Sequence, residues 1–137
     1  MRRFFLVLIC SLAAGVAHAQ ERLAPNADIE STIQNQLEAF LLDDVEVAWQ
    51  FASPNIQRLF RTPENFGRMV EGGYPMVWRP AEVEFVDLQT LGGVTVQRVQ
   101  VIDRAGRAHI LAYQMIETEA GWLINGVQLL RAPGIGV

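Results

Sequence analysis

The chain has 137 residues, with 15 acids against 11 basic residues, every one of them arginine, and a formal net charge of −4. That balance leaves no basic stripe to follow a phosphate backbone, which excludes nucleic-acid binding. One cysteine and two histidines provide no ligand cluster for a transition metal, and no Gly-rich phosphate loop, nucleophile elbow or zincin helix occurs, so neither a metal nor a cofactor is expected.

The chain opens MRRFFLVLICSLAAGVAHAQ. Arg2 and Arg3 form a charged start, Phe4 to Ala14 an apolar core, and Ala17-His18-Ala19 a small-x-small cleavage site. This is the layout of a secretory signal peptide over residues 1–19, with Gln20 as the first mature residue and a periplasmic or secreted product. The apolar run is shorter than the roughly 20 residues a membrane span needs, so no span is expected after cleavage. A lipoprotein is disfavoured because Ile9, not a small residue, precedes Cys10. Cleavage removes Cys10, Arg2 and Arg3, taking the basic count from 11 to 9 against 15 acids, about −6. The exported domain then relies on its core alone, without disulfides.

Residues 20–27 (QERLAPNA) read as a polar leader, and 28–137 as a single domain. Ile29, Ile33, Leu37, Phe40 and Leu41 recur at helical spacing and predict an amphipathic helix. Asp43 and Glu46 have capping-box spacing and start a second helix that buries Val47, Ala48, Phe51 and Ala52. Ser53-Pro54 and Thr62-Pro63 each place a hydroxyl cap before a first-turn proline, predicting two more helices. Gly72-Gly73 is expected to stop the last by taking the left-handed conformation.

After Pro80 the apolar period changes to two. Strands are expected at about 81–91, 94–103, 107–117 and 122–131, joined by short glycine-bearing turns into an antiparallel meander. In VTVQRVQV the apolar phase shifts at Gln97-Arg98, which either flips the face or hides a β-bulge. The bulge is preferred, because it would bend the sheet around the helices.

Long and short helices followed by a curved antiparallel sheet resemble the NTF2-like, or SnoaL-like, superfamily. The stretches FASPNIQRLFRTPENFGRMVEGGYPMVWRP and LLRAPGIGV more specifically resemble the domain of unknown function 4864 family of small exported bacterial proteins. The resemblance implies an α+β fold in which N-terminal helices pack on a curved four-stranded antiparallel sheet, a cone with an interior. It implies no activity, since the superfamily includes isomerases, dehydratases, transport factors and catalytically silent domains.

Parity identifies candidate site residues. A three-residue loop at Arg104-Ala105-Gly106 sets Asp103 opposite Arg107, Val99 opposite Leu111 and Val101 opposite His109. A similar loop at Gly121 would keep Leu123, Asn125, Val127 and Leu129 on that face. The face is apolar except for Gln97, Tyr113 and Asn125, a pattern suited to a small-molecule site. The structural alternative is that Tyr113 and Asn125 satisfy each other or the backbone. Asp87 shares parity with Val83 and Phe85 and is the one acid placed to act as an inward base. The alternative is a solvated position beyond a phase shift, since Val86 and Leu88 compete for the core. His109 has the only mature side chain with an ordinary pKa near 6.5, against a plain reading as a hydrogen-bonded strand-end residue.

The segment EGGYPMVWRP reads as a stiff connector that plugs the open end of the cone. Tyr74, Trp78 and Arg79 would then meet any ligand, Arg79 holding a carboxylate or merely pairing with a surface acid. The other sheet face carries Val94, Ile102, Ile110, Ile116, Trp122 and Ile124 beside Arg98 and Gln128, and suits docking of a second copy. The C-terminal RAPGIGV is expected to fold back or pair across a dimer. Three functions stay open: non-enzymatic binding of a small apolar or amphipathic ligand or an envelope protein, a cofactor-free isomerase or dehydratase using Asp87 or His109, and a filled-core interaction domain.

Overall fold

The computed structural model describes residues 20–130, so the expected signal peptide and the RAPGIGV connector lie outside the described residues. Five helices and five strands follow one another as β1 (Gln20–Leu23), α1 (Ala27–Leu41), α2 (Val45–Gln50), α3 (Pro54–Phe60), α4 (Pro63–Gly73), α5 (Pro75–Trp78), β2 (Pro80–Leu91), β3 (Val94–Asp103), β4 (Ala108–Thr118) and β5 (Gly121–Leu130). Among these described elements no helix is long and apolar enough to cross a membrane.

Caps account for where the helices start. The Asn26 side chain accepts from the N–H groups of Asp28 and Ile29, opening α1. Ser53 and Thr62 cap α3 and α4 through Ile56 N and Asn65 N, each followed by proline. The second helix departs from expectation. Asp43 has φ 55 and ends α1, with Asp43 N bonding Phe40 O and Asp44 N bonding Ala39 O. This is a Schellman closure, and it leaves Asp44 to cap α2 through Val47 N. The glycine stop is also corrected. Helix α4 runs through Gly72 and Gly73, neither with positive φ, and ends at Tyr74 (φ −135, ψ 61). Pro75 supplies the stop by excluding the helical region for the residue before it.

The sheet has five antiparallel strands in sequential order, not four. The extra strand lies in the expected polar leader, where Gln20–Leu23 pairs with Leu88–Leu91. Strand β2 is 12 residues long and offers an open edge there, which pairing satisfies. Gly92 and Gly93, at φ 56 and 82, make the tight turn to β3. The expected register between β3 and β4 is observed, with Val99 opposite Leu111 and Val101 opposite His109.

The bulge lies on the neighbouring strand. Pairing of β3 with β4 is continuous from Thr95 to Ile102, while β2 shifts register between Phe85 and Asp87. Val94 and Val96 sit on the outer face, and Gln97, Val99 and Val101 on the inner one. Two further shifts come between Pro80 and Glu82 of β2 and opposite Gln114/Met115, where Asn125 is the extra residue. The β4–β5 turn is shorter than expected, with Thr118 paired to Gly121. Together these put Ile124, not Leu123, inside.

The inner face and the helices share one core. Ile29, Ile33, Leu37 and Phe40 of α1 are buried against Val99, Val101, Leu111 and Tyr113 of the sheet. Aromatic rings knit the helical layer: Phe66 packs tilted on Phe40, Trp49 and Phe60 at 5.6–5.9 Å between centroids.

Candidate functional site

Helices and sheet do not meet everywhere. Between them lies a cavity of about 220 Å³. Gln36 and Phe40 of α1 and Ile56, Leu59 and Phe60 of α3 form part of its wall. Phe66, Met69 and Val70 of α4, with Tyr74 and Val77, continue it. Ala52, Tyr113, Ile124, Gly126 and Val127 complete the lining. Leu59 is 69 % exposed and marks the mouth. Helix α3 contributes no fully buried residue and covers the cavity with partly buried Ile56 and Phe60, which pack against the core.

Among the described residues only three lining side chains are polar, and two already make a hydrogen bond. The Gln36 amide nitrogen donates to Ala48 O at 3.1 Å. Tyr74 Oη donates to Val127 O at 3.0 Å. The third is Tyr113, fully buried on β4, whose hydroxyl has no hydrogen-bond partner. Burial pushes the Tyr113 phenol far above its ordinary value of 10.0, with Tyr74 adding to the effect. It is therefore a neutral hydroxyl at every pH the fold meets, with a proton to donate.

Of the sequence candidates, Tyr74 and Tyr113 line this cavity and the others do not. Trp78 packs on Phe40, with centroids 5.5 Å apart, and carries Arg79 over its ring at 5.0 Å. Arg79 donates to Phe40 O at 2.7 Å and Trp78 O at 2.8 Å and pairs with Asp43. It closes the C-terminal end of α1, where carbonyls lack helical partners. The connector EGGYPMVWRP is thus half wall and half fastening. Gln97 is inward but donates to Asp87 O and Arg98 O, both at 3.0 Å, satisfying the bulge. Asn125 does not meet Tyr113. Its Oδ1 accepts from Ser53 Oγ at 2.7 Å and Asn55 Nδ2 at 3.2 Å, tying the start of α3 to β5.

The two acid–base candidates sit away from the cavity. The bulge turns Asp87 to the outer face, where it accepts a paired interaction from Arg98 and a longer one from Arg22 at 3.3 Å. Hydrogen bonding from Arg98 first, then its charge and Arg22, outweighs desolvation and lowers the carboxyl below its ordinary 3.8. That is the opposite of what a general base near neutral pH requires.

His109 Nε2 donates to Asp103 Oδ2 at 2.8 Å beside the hairpin turn, and Asp103 Oδ1 accepts from the N–H groups of Ala105 and Arg107. These bonds, His109 foremost, hold Asp103 at about 2. Because the folded value lies below the unfolded 3.8, this carboxylate stabilises the fold above that pH and ceases to as pH falls towards 2. The melting-temperature gap between the natural chain and Asp103→Asn is therefore expected to be constant above pH ~5 and to narrow steadily below pH ~4. Thermal melts in a pH series check it.

Sequence reasoning missed Gln36 and the α3–α4 wall. Gln36 had a signal: it falls on the Ile29-Ile33-Leu37-Phe40 stripe, a polar residue on an apolar face. Ile56, Leu59, Phe60 and Met69 had none, because cavity walls and solid cores use the same helical spacing.

A model of the domain of unknown function family DUF4864 matches residues 22–137. The chain belongs to this family. The match runs from the middle of β1 through β5 and takes in all of the cavity lining given above. No curated protein and no solved structure matches the chain.

Proposed function

We propose that the chain is an exported, NTF2-like domain that binds a small, mostly apolar molecule without transforming it. The observation that carries this is the fully buried, unpartnered Tyr113 hydroxyl on the wall of an apolar cavity. A few polar groups amid apolar walls is the make-up of ligand pockets. Three register shifts in the sheet, irregularities of the kind that bend strands, support the NTF2-like cone, and the N-terminal sequence supports export. Among the described residues no carboxylate or imidazole lines the cavity, and Asp87 and His109 are engaged elsewhere, which favours binding over isomerase or dehydratase chemistry.

A second reading, a homodimer through the outer sheet face, draws support from Leu91 and Val94, each over 40 % exposed on that face. Sedimentation of the mature chain tests it.

For the binding reading, Val127→Phe is expected to fill the cavity and abolish binding while leaving the fold intact. Native mass spectra of both proteins purified from the periplasm check this. A small molecule retained by the natural chain, released on denaturation and absent from the variant is the expected result. A natural chain that is empty and binds no benzene-sized apolar probe saturably sinks the reading.

A further inference from the structure

Within that binding reading, we infer that the cavity selects a neutral molecule bearing one hydrogen-bond-accepting oxygen, which Tyr113 Oη holds. Size comes from volume. An apolar cavity of roughly 150 Å³ takes a benzene ring. The cavity of about 220 Å³ therefore takes a molecule of about nine non-hydrogen atoms.

Polarity comes from the wall. Among the described residues Tyr113 is the one lining side chain that makes no hydrogen bond and whose polar atom is fully buried, and it can donate. An occupant with an acceptor restores the bond that burial removed, while a pure hydrocarbon leaves the hydroxyl orphaned. The acceptor belongs to the ligand because no described side chain bonds the hydroxyl: Tyr74 is bonded to Val127 O, the Gln36 amide nitrogen to Ala48 O, and Asn125 to Ser53.

Charge comes from what surrounds the cavity. Among the described residues no arginine, histidine or acid lines it. Arg79, the nearest sequence candidate for an anion, is spent on the end of α1. A carboxylate or an ammonium entering would lose its hydration without gaining a counter-charge. Aldehydes and ketones fit all three conditions.

Four probes of equal size separate these conditions: acetophenone, its hydrocarbon isostere α-methylstyrene, benzoate and 1-phenylethylammonium. Titrations by ligand-observed NMR use the mature natural chain and Tyr113→Phe at neutral pH. Acetophenone is expected to bind the variant about tenfold more weakly, while α-methylstyrene binds both proteins alike. Its binding also shows that the variant is folded with its cavity intact. Comparing the two proteins for each probe removes the difference in hydrophobicity between the probes. Both charged probes are expected to bind the natural chain at least ~10-fold more weakly than acetophenone.

If both neutral probes bind but the Tyr113-dependent difference between them is under about twofold, the selectivity is overturned and the binding reading stands. Charged probes that bind as tightly as acetophenone overturn the neutral class. If neither neutral probe binds saturably, the binding reading falls and this inference falls with it.

Discussion

Phe40→Ala is expected to destabilise the domain by about 3–5 kcal/mol, the range for truncating a fully buried aromatic side chain. Phe40 is 0 % exposed and packs on Phe66 at 5.8 Å and on Trp78 at 5.5 Å. It also borders the cavity. The space left by its ring joins an existing void, so neighbours cannot collapse to fill it, and the loss should fall towards the upper end. At about 4 °C per kcal/mol for a domain of this size, melting should fall by roughly 12–20 °C. Leu42→Ala is the control: Leu42 is 78 % exposed, and its truncation should stay within about 0.5 kcal/mol. Urea unfolding of both variants measures the contrast. A loss of under ~1 kcal/mol for Phe40→Ala would mean that the aromatic cluster is not the packed layer described above.

The fold was legible wherever one local rule decided the outcome. Hydroxyl-proline pairs marked the starts of α3 and α4, and the change of period at Pro80 marked the sheet. The strand bounds came within one or two residues because glycine turns punctuate them. What failed were features decided by partners distant in sequence. Four residues, QERL, show no pattern of their own and become β1 only because β2 is long enough to pair with them. The bulge was sought in VTVQRVQV, where the apolar phase merely changes face, since both faces of this sheet are partly buried. It lies in EFVDL, where Phe85 and Leu88 both point inward at an odd spacing. That spacing was readable, and it also turns Asp87 out of the core.

The candidate site was legible in its chemistry more than in its walls. Tyr113 stands out in the sequence as a polar residue on an apolar face, and it lines the cavity. Trp78, Arg79 and Asn125 are the residue types that bind ligands, yet each is occupied by a carbonyl, a ring or a side chain from another element. Sequence supplies the donors and acceptors but not their pairing. Only the pairing separates a free hydroxyl from a satisfied one.

The sharpest test of that pairing makes one chemical change at two tyrosines on the same cavity. Tyr113→Phe is expected to raise the stability of the ligand-free domain by about 1–3 kcal/mol, because it deletes a buried hydroxyl that has no partner. Tyr74→Phe is expected to lower it by about 1 kcal/mol, because it deletes the bond to Val127 O. Opposite signs from one deleted oxygen cannot be produced by packing, which both substitutions conserve. Retaining an orphaned hydroxyl at a cost in stability is what a binding site does when function needs the group. A saturating carbonyl ligand should then narrow the gap by about 1.4 kcal/mol, since it binds the natural chain about tenfold more tightly than the Tyr113 variant. Melts of the three proteins with and without acetophenone measure all of this. If Tyr113→Phe instead melts lower than the natural chain without ligand, its hydroxyl is already satisfied, and the reason for it to seek a ligand oxygen disappears.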